Sequence, residues 1–344
     1  MKALRVHGPK QMVYEEAPRP EPGPGEVLAR VKAVGLCRTD IEVWENRLYH
    51  YTVGKAKLPV IPGHEWSGVV EALGPGVDDL RIGELITCET ALGCGLCQLC
   101  LSGHQNICQS RIEMGIINRD GAMAEYVVAP RSTTHRLGDM DPVVGAFAEP
   151  TAVATYAVNQ AGVTPADRVL ALGDGPIGLL LTQVALAYGA RSVVTAGRSA
   201  AKLRLARELG ATEVIDTGSE DLVARGRELT DGAGFDVVLE AVGAPHLVQQ
   251  ALEVVAVRGR IILAGSYVGA LSTIDADLIV CKELRMLGSI GGGTNYEEAI
   301  GLLGSGRVRV DALATRRASL ADAPAVFEQL AEDAGDDLKV IFEP

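Results

Sequence analysis

Two rhythms of apolar residues divide the chain. Up to about residue 150, apolar and β-branched residues come in short runs, as at 27–34, 66–73 and 125–128. Turns such as Pro22-Gly23-Pro24-Gly25 and Gly74-Pro75-Gly76 interrupt them. Short strands between Gly/Pro turns predict an irregular β-domain. From about residue 165 the pattern lengthens. An apolar strand at 168–172 runs into a glycine turn and a helix through Tyr188, then a strand at 192–196 and a helix at 200–209. Further strands fit 213–215, 236–240, 260–264 and 284–289, with a helical period at 245–255. Strands alternating with helices predict a parallel sheet covered on both faces. The expected fold class is α/β: a β-domain over 1–155, rejoined by 296–344, and a doubly wound domain over 156–295. No internal repeat or low-complexity segment interrupts this plan.

Composition narrows the function. With 344 residues, 47% of them apolar, the chain suits two packed domains and not a disordered or fibrous protein. A net charge of −12 repels phosphate backbones, so nucleic acid is not expected as a partner. No basic segment followed by an apolar one opens the chain, and the apolar stretch at 151–166 is too short to span a bilayer. The expectation is a cytoplasmic protein without a membrane partner. Four of the seven cysteines lie between Cys94 and Cys108, which in a reducing compartment suggests metal before disulfide.

The segment Gly173-Asp174-Gly175-Pro176-Ile177-Gly178 is a G-x-G-x-x-G pattern directly after a strand and opening a helix. Gly173 permits the tight turn, Gly175 lets a pyrophosphate approach the backbone, and Gly178 lets helix and strand pack closely. The amides at the start of the helix, Pro176 and Ile177 among its first residues, then face the phosphates. An acid at the end of the second strand would select the ribose 2′-OH of NAD, but the chain reads Ala196-Gly197-Arg198-Ser199 there. Gly197 leaves space and Arg198 can pair with a 2′-phosphate, which favours NADP while leaving NAD open. Arg198 as a plain solvated helix start is the alternative.

Cys94-x2-Cys97-x2-Cys100-x7-Cys108 offers four thiolates that can close around one tetrahedral ion, the pattern of a structural zinc site. An iron–sulfur cluster competes for the same spacing. Cys88 and Cys281 are read as packed thiols. Three separated fragments supply a second donor set: Cys37-Arg38-Thr39-Asp40, Gly63-His64-Glu65 and Glu149-Pro150. One Cys, one His and two Glu make a mixed shell suited to a zinc with an exchangeable position.

In this order the five features resemble the zinc-containing medium-chain alcohol dehydrogenases along essentially the full chain. The resemblance implies a GroES-like catalytic domain holding two zinc ions, a Rossmann domain inserted before the C-terminal segment, and a homodimer or homotetramer. It implies catalytic zinc ligands at Cys37, His64 and either or both of Glu65 and Glu149. It further implies that Thr39 passes the hydroxyl proton towards solvent and that Asp40 orients His64. A carboxylate at 149 resembles the polyol, glucose and threonine dehydrogenase branches. The segments at 63–68 and 304–312 resemble cyclitol dehydrogenases of the 2-deoxy-scyllo-inosamine type. Glu42 stands where many relatives place a histidine, so it is read as a proton relay, a substrate contact or a solvated carboxylate. Trp44, Asn46, Arg47, Tyr49, His50 and Tyr51 either meet a polyhydroxylated ring or serve packing and solvation.

The expected activity is hydride transfer between a nicotinamide cofactor and a secondary hydroxyl of a sugar, polyol or cyclitol. A simple secondary alcohol and threonine are the alternative substrates. A zinc-free enone or quinone reductase and a non-enzymatic nucleotide-binding relative are the rival classes.

Overall fold

A computed structural model describes residues 1–333 and 335–344. The chain forms two compact units, one of Met1–Ala152, Gly291–Gly304 and Val310–Pro344, the other of Val153–Ile290 and Ser305–Arg309. The return to the first unit thus begins at residue 291 and not at 296. Residues 305–309 stay with the second unit because the Gln183 side chain pairs with both backbone groups of Arg309. Its Nε2 donates to the Arg309 carbonyl at 3.0 Å, and its Oε1 accepts from the Arg309 N–H at 2.8 Å.

In the first unit a mainly antiparallel sheet is built around the ten-residue strand Glu26–Gly35. That strand pairs with Glu65–Leu73, Tyr126–Pro130 and Val340–Glu343. Val27, Ala29, Val31, Ala33 and Val34 are all buried, so the strand is packed along most of its length. Shifts of register at Leu28/Ala29 and Val31/Ala33 bend it against its neighbour. Trp66, Phe327 and Phe342 anchor the core beneath. Pairing of Ile341 with Gly35 and Phe342 with Val34 brings the C-terminal strand to the end of Glu26–Gly35, which puts Lys339 beside Leu36 and Cys37.

The second unit is a six-stranded parallel sheet in the order Glu213–Asp216, Ser192–Gly197, Arg168–Leu172, Phe235–Glu240, Val255–Leu263, Arg285–Gly288. Chain order reverses between Arg168–Leu172 and Phe235–Glu240, the switch point at which doubly wound sheets bind dinucleotides. Val169 to Leu172 are buried on both faces of the sheet, as an unbroken apolar run requires. The strand Val255–Leu263 begins five residues before the expected 260, and helices Leu222–Leu229 and Ala276–Cys281 were not legible from periodicity. The latter leaves Cys281 exposed, so it is not the packed thiol expected from its type. Among the described residues no helix is long and apolar enough to cross a membrane.

Candidate metal centres and dinucleotide loop

The cysteine quartet sits on a lobe with little core of its own, where Leu96 and Leu101 are exposed. The four sulfurs lie within 4.8 Å of one another. Cys97 Sγ is 3.6 Å from Cys100 Sγ and 3.7 Å from Cys108 Sγ, and Cys94 Sγ is 3.9 Å from Cys100 Sγ. Four sulfurs each about 2.3 Å from one zinc ion stand about 3.8 Å apart. The quartet fits a single ion, whereas a cluster of several iron and sulfur atoms would hold the thiolates further apart. Backbone N–H groups of Leu96 and Cys97 pull the Cys94 thiol down to about 6, and that of Cys94 lowers Cys108. Burial instead pushes the Cys100 thiol up to about 12, so the thiolate that a metal requires is favoured at Cys94 and Cys108 and not across the whole lobe.

The second donor set is gathered by the sheet. Cys37 follows the strand Glu26–Gly35 and caps the helix Arg38–Trp44. His64 and Glu65 lie at the start of the neighbouring strand, after Gly63, whose φ of +96° and close contacts with Met123 and Val34 require glycine. Cys37, His64 and Glu65 present donor atoms within 4.8 Å of one another. Asp40, fully buried, joins the two fragments. Its Oδ2 accepts from Cys37 N at 2.9 Å, its Oδ1 accepts from Gly63 N at 3.0 Å, and the same Oδ1 lies 3.3 Å from His64 Nδ1. Burial disfavours a charged His64, but the Asp40 carboxylate outweighs it and raises the imidazole well above its ordinary value. The Thr39 hydroxyl lies 3.6 Å from Cys37 Sγ.

Two carboxylates complete this environment differently. Glu65 is held by Lys339, whose ammonium donates to Oε1 at 2.7 Å and lies 2.6 Å from Oε2, with a further bond to the Leu36 carbonyl at 3.2 Å. Both side chains are buried, and a Cβ at Gly35 would meet Glu65 Oε2 at 2.5 Å, so the pair is fitted against bare backbone. Glu149, buried near the start of the helix Ala148–Ala161, is not part of the three-residue cluster. It accepts from Thr90 Oγ1 at 3.3 Å, and Thr90 in turn meets the Tyr296 hydroxyl at 3.3 Å. Burial pushes the Glu149 carboxyl up to about 7, with Glu65 adding to the rise while His64 opposes it. Lys339, Thr90 and Tyr296 carried no motif. Only pairing of distant segments brings them here.

The aromatic stretch divides. Trp44 is buried against Phe327 with ring centroids 6.2 Å apart, and the buried Tyr51 donates to the Ile116 carbonyl at 2.8 Å, so both serve packing. Arg47 pairs with Glu45, and His50 Nε2 lies 3.3 Å from Arg111 Nη2. Tyr49 and Asn46 are exposed. Glu42 is buried, which removes its reading as a solvated carboxylate.

In the second unit, Gly173 has φ +126°, and a Cβ at Gly178 would stand 1.9 Å from the Gly173 carbonyl oxygen. Gly175 faces open space, where a Cβ would intrude on whatever approaches the loop. Pro176 and Ile177 form the first turn of the helix Pro176–Ala187. These features fit a pyrophosphate cradle. Gly197 does not leave an empty space, however: the Asp174 side chain fills it. Arg198 is exposed and forms no ion pair among the described residues, so its guanidinium is available to a phosphate.

Residues 23–139 match the alcohol dehydrogenase GroES-like domain, and residues 176–305 match the zinc-binding dehydrogenase domain. A sorbitol dehydrogenase of Halalkalibacterium halodurans is 33% identical, the match covering 100% of this chain and 99% of the relative. An L-threonine 3-dehydrogenase of Pyrococcus abyssi is 36% identical over 87% of this chain and 85% of the relative. A zinc-binding dehydrogenase of Sinorhizobium meliloti, solved bound to NADP, superposes with a TM-score of 0.94 at 34% identity. It covers 100% of this chain and 99% of its own.

Proposed function

The chain belongs to the zinc-binding alcohol dehydrogenases with a GroES-like domain, and from that premise we propose that it oxidises a secondary hydroxyl of a sugar, polyol or cyclitol. The single observation that carries this reading is the cluster of half-buried Cys37 with buried His64 and Glu65, Glu149 being close by. A mixed Cys, His and carboxylate donor set suits a zinc with an exchangeable position for an alcohol oxygen, and the sorbitol dehydrogenase relative points to a polyol. Cys37, His64 and one or both of Glu65 and Glu149 would hold a catalytic zinc, and Cys94, Cys97, Cys100 and Cys108 a structural one.

Bound there, zinc would supply a Lewis acid that lowers the pKa of an alcohol hydroxyl, and the nicotinamide would supply the hydride acceptor. The protein's own residues do the rest. Thr39 takes up the hydroxyl proton and passes it on, Asp40 fixes Cys37 and His64 in one orientation, and Lys339 fixes Glu65. Gly173, Gly175, Pro176, Ile177 and Gly178 cradle the pyrophosphate. Arg198, beside Gly197, favours NADP over NAD, in keeping with the NADP-bound relative.

The assembly is proposed to be a homodimer or homotetramer. The strand Arg285–Gly288 is an open sheet edge, and Leu287 upon it and the nearby Val280 are exposed, a surface that chains usually cover. A cytoplasmic setting suits a quartet of thiols spaced for a metal ion.

Metal analysis joined to a substrate panel tests the reading. About two zinc per chain are expected, with turnover of sugars, inositols or amino-cyclitols above that of short secondary alcohols. Full activity in a metal-free chain would refute it, and a clear preference for threonine would move the chain to that branch.

A further inference from the structure

The glycine at the end of the strand Ser192–Gly197 has a cause elsewhere in the chain. A Cβ on Gly197 would lie 2.3 Å from Asp174 Cβ, 2.4 Å from its Cγ and 2.5 Å from its Oδ2. Asp174, the second residue of the phosphate loop, therefore occupies the volume that a side chain at 197 would need. Its Oδ2 accepts from Arg198 N at 2.8 Å and from Ser199 N at 2.7 Å. These two amides open the helix Ala200–Glu208, whose capping Ser199 hydroxyl is already engaged with Lys202 N at 3.3 Å. Free amides at such a turn, backed by the helix dipole, are a docking point for an anion. Here the chain's own carboxylate has taken that place.

We propose that Asp174 is a specificity-determining residue: reaching across from the phosphate loop, it supplies the carboxylate that position 197 lacks and limits the preference for the 2′-phosphorylated cofactor. The proposal rests on the reading that this loop binds a nicotinamide dinucleotide. A 2′-phosphate drawn in by Arg198 meets a negative charge seated on the amides that would otherwise bind it. A ribose 2′-OH meets an acceptor. Arg198 and Asp174 thus pull in opposite directions, and the cofactor preference is their difference. The acid that selects NAD is displaced to another strand–helix turn and not simply missing.

The test is calorimetric binding of 2′,5′-ADP and 5′-AMP to the full zinc-loaded chain, which reads the adenosine end without turnover. Asp174→Asn is isosteric and keeps an acceptor for both amides. It is expected to tighten 2′,5′-ADP by about 10-fold or more while 5′-AMP stays within about 3-fold. Asp174→Ala, which frees the amides outright, should act in the same direction. Arg198→Ala should weaken 2′,5′-ADP by about 10-fold. If the Asp174 variants, with melting temperatures near that of the parent, change both ligands equally or weaken 2′,5′-ADP, the proposal is overturned while the loop assignment stands. If neither ligand binds the parent chain, the loop assignment fails and the proposal fails with it.

Discussion

Replacing Lys339 by methionine is the sharpest test of how the candidate zinc pocket is held. Lys339 and Glu65 are 4% and 1% exposed, and the ammonium contacts both carboxylate oxygens at 2.6–2.7 Å. Methionine approximates the lysine stem and removes the charge, leaving Glu65 buried without its counter-ion. Breaking a buried pair from one side costs about 3–5 kcal/mol, because the remaining ion keeps its desolvation penalty. For a folding unit of this size that corresponds to a fall in melting temperature of about 6–20 °C, at about 2–4 °C per kcal/mol. The assay is thermal unfolding followed by tryptophan fluorescence. Both tryptophans, Trp44 and Trp66, are buried in the first unit, and Trp66 adjoins Glu65. With zinc in excess the loss should be smaller than after chelation, since a neighbouring cation can take over part of the role of the ammonium. Lys339→Met combined with Glu65→Gln should recover most of the stability, since neither charge is then left alone. A Lys339→Met protein within about 1 kcal/mol of the parent, or a double variant less stable than the single one, would refute the reasoning.

Three further outcomes follow from the same geometry. Thr39→Val should lower kcat by about 10²–10⁴-fold with zinc content and cofactor binding unchanged, as steady-state kinetics and metal analysis would show; unchanged kcat removes Thr39 from proton transfer. Burial disfavours protonated His135, yet Glu89 at 3.2 Å and Glu297 at 2.6 Å outweigh it and raise its pKa. Its contribution is therefore fully present below the unfolded value of about 6.5 and lost as pH rises through the folded pKa, so the stability gap to His135→Gln should narrow between about pH 5.5 and pH 8.5. An equal gap at both pH values would exclude a charged His135. Gly178→Ala places a Cβ 1.9 Å from the Gly173 carbonyl oxygen and should cut turnover by on the order of 10²-fold with zinc content retained; near-normal binding of NAD and NADP would contradict the loop assignment.

Local chemistry was legible in the sequence wherever spacing alone dictates geometry. The cysteines from 94 to 108 close on one another because so short a loop can bring four thiolates to one point, and their 3.6–3.9 Å separations follow. The loop Gly173–Gly178 could be read because a strand–turn–helix crossing tolerates only glycine where backbones touch. The four parallel strands of the nucleotide unit that lie inside the sheet were visible as apolar runs, since burial on both faces leaves little polar alternation. Cys37, His64, Glu65 and Glu149 were nameable as donors. That the first three meet, while Glu149 turns to Thr90, depended on the pairing of Glu26–Gly35 with Glu65–Leu73.

Only the tertiary structure brought Lys339 to Glu65, 274 positions away in the chain, and Tyr296 to Thr90, 206 positions away. No local pattern marks such partners, because a buried charge is satisfied by whatever the sheet register places beside it. The same holds for Gly197. In the sequence it signals a missing acid, whereas in the folded chain it is the space into which Asp174 reaches. A residue's neighbours decide its chemistry, and those neighbours are fixed by strand pairing rather than by sequence distance.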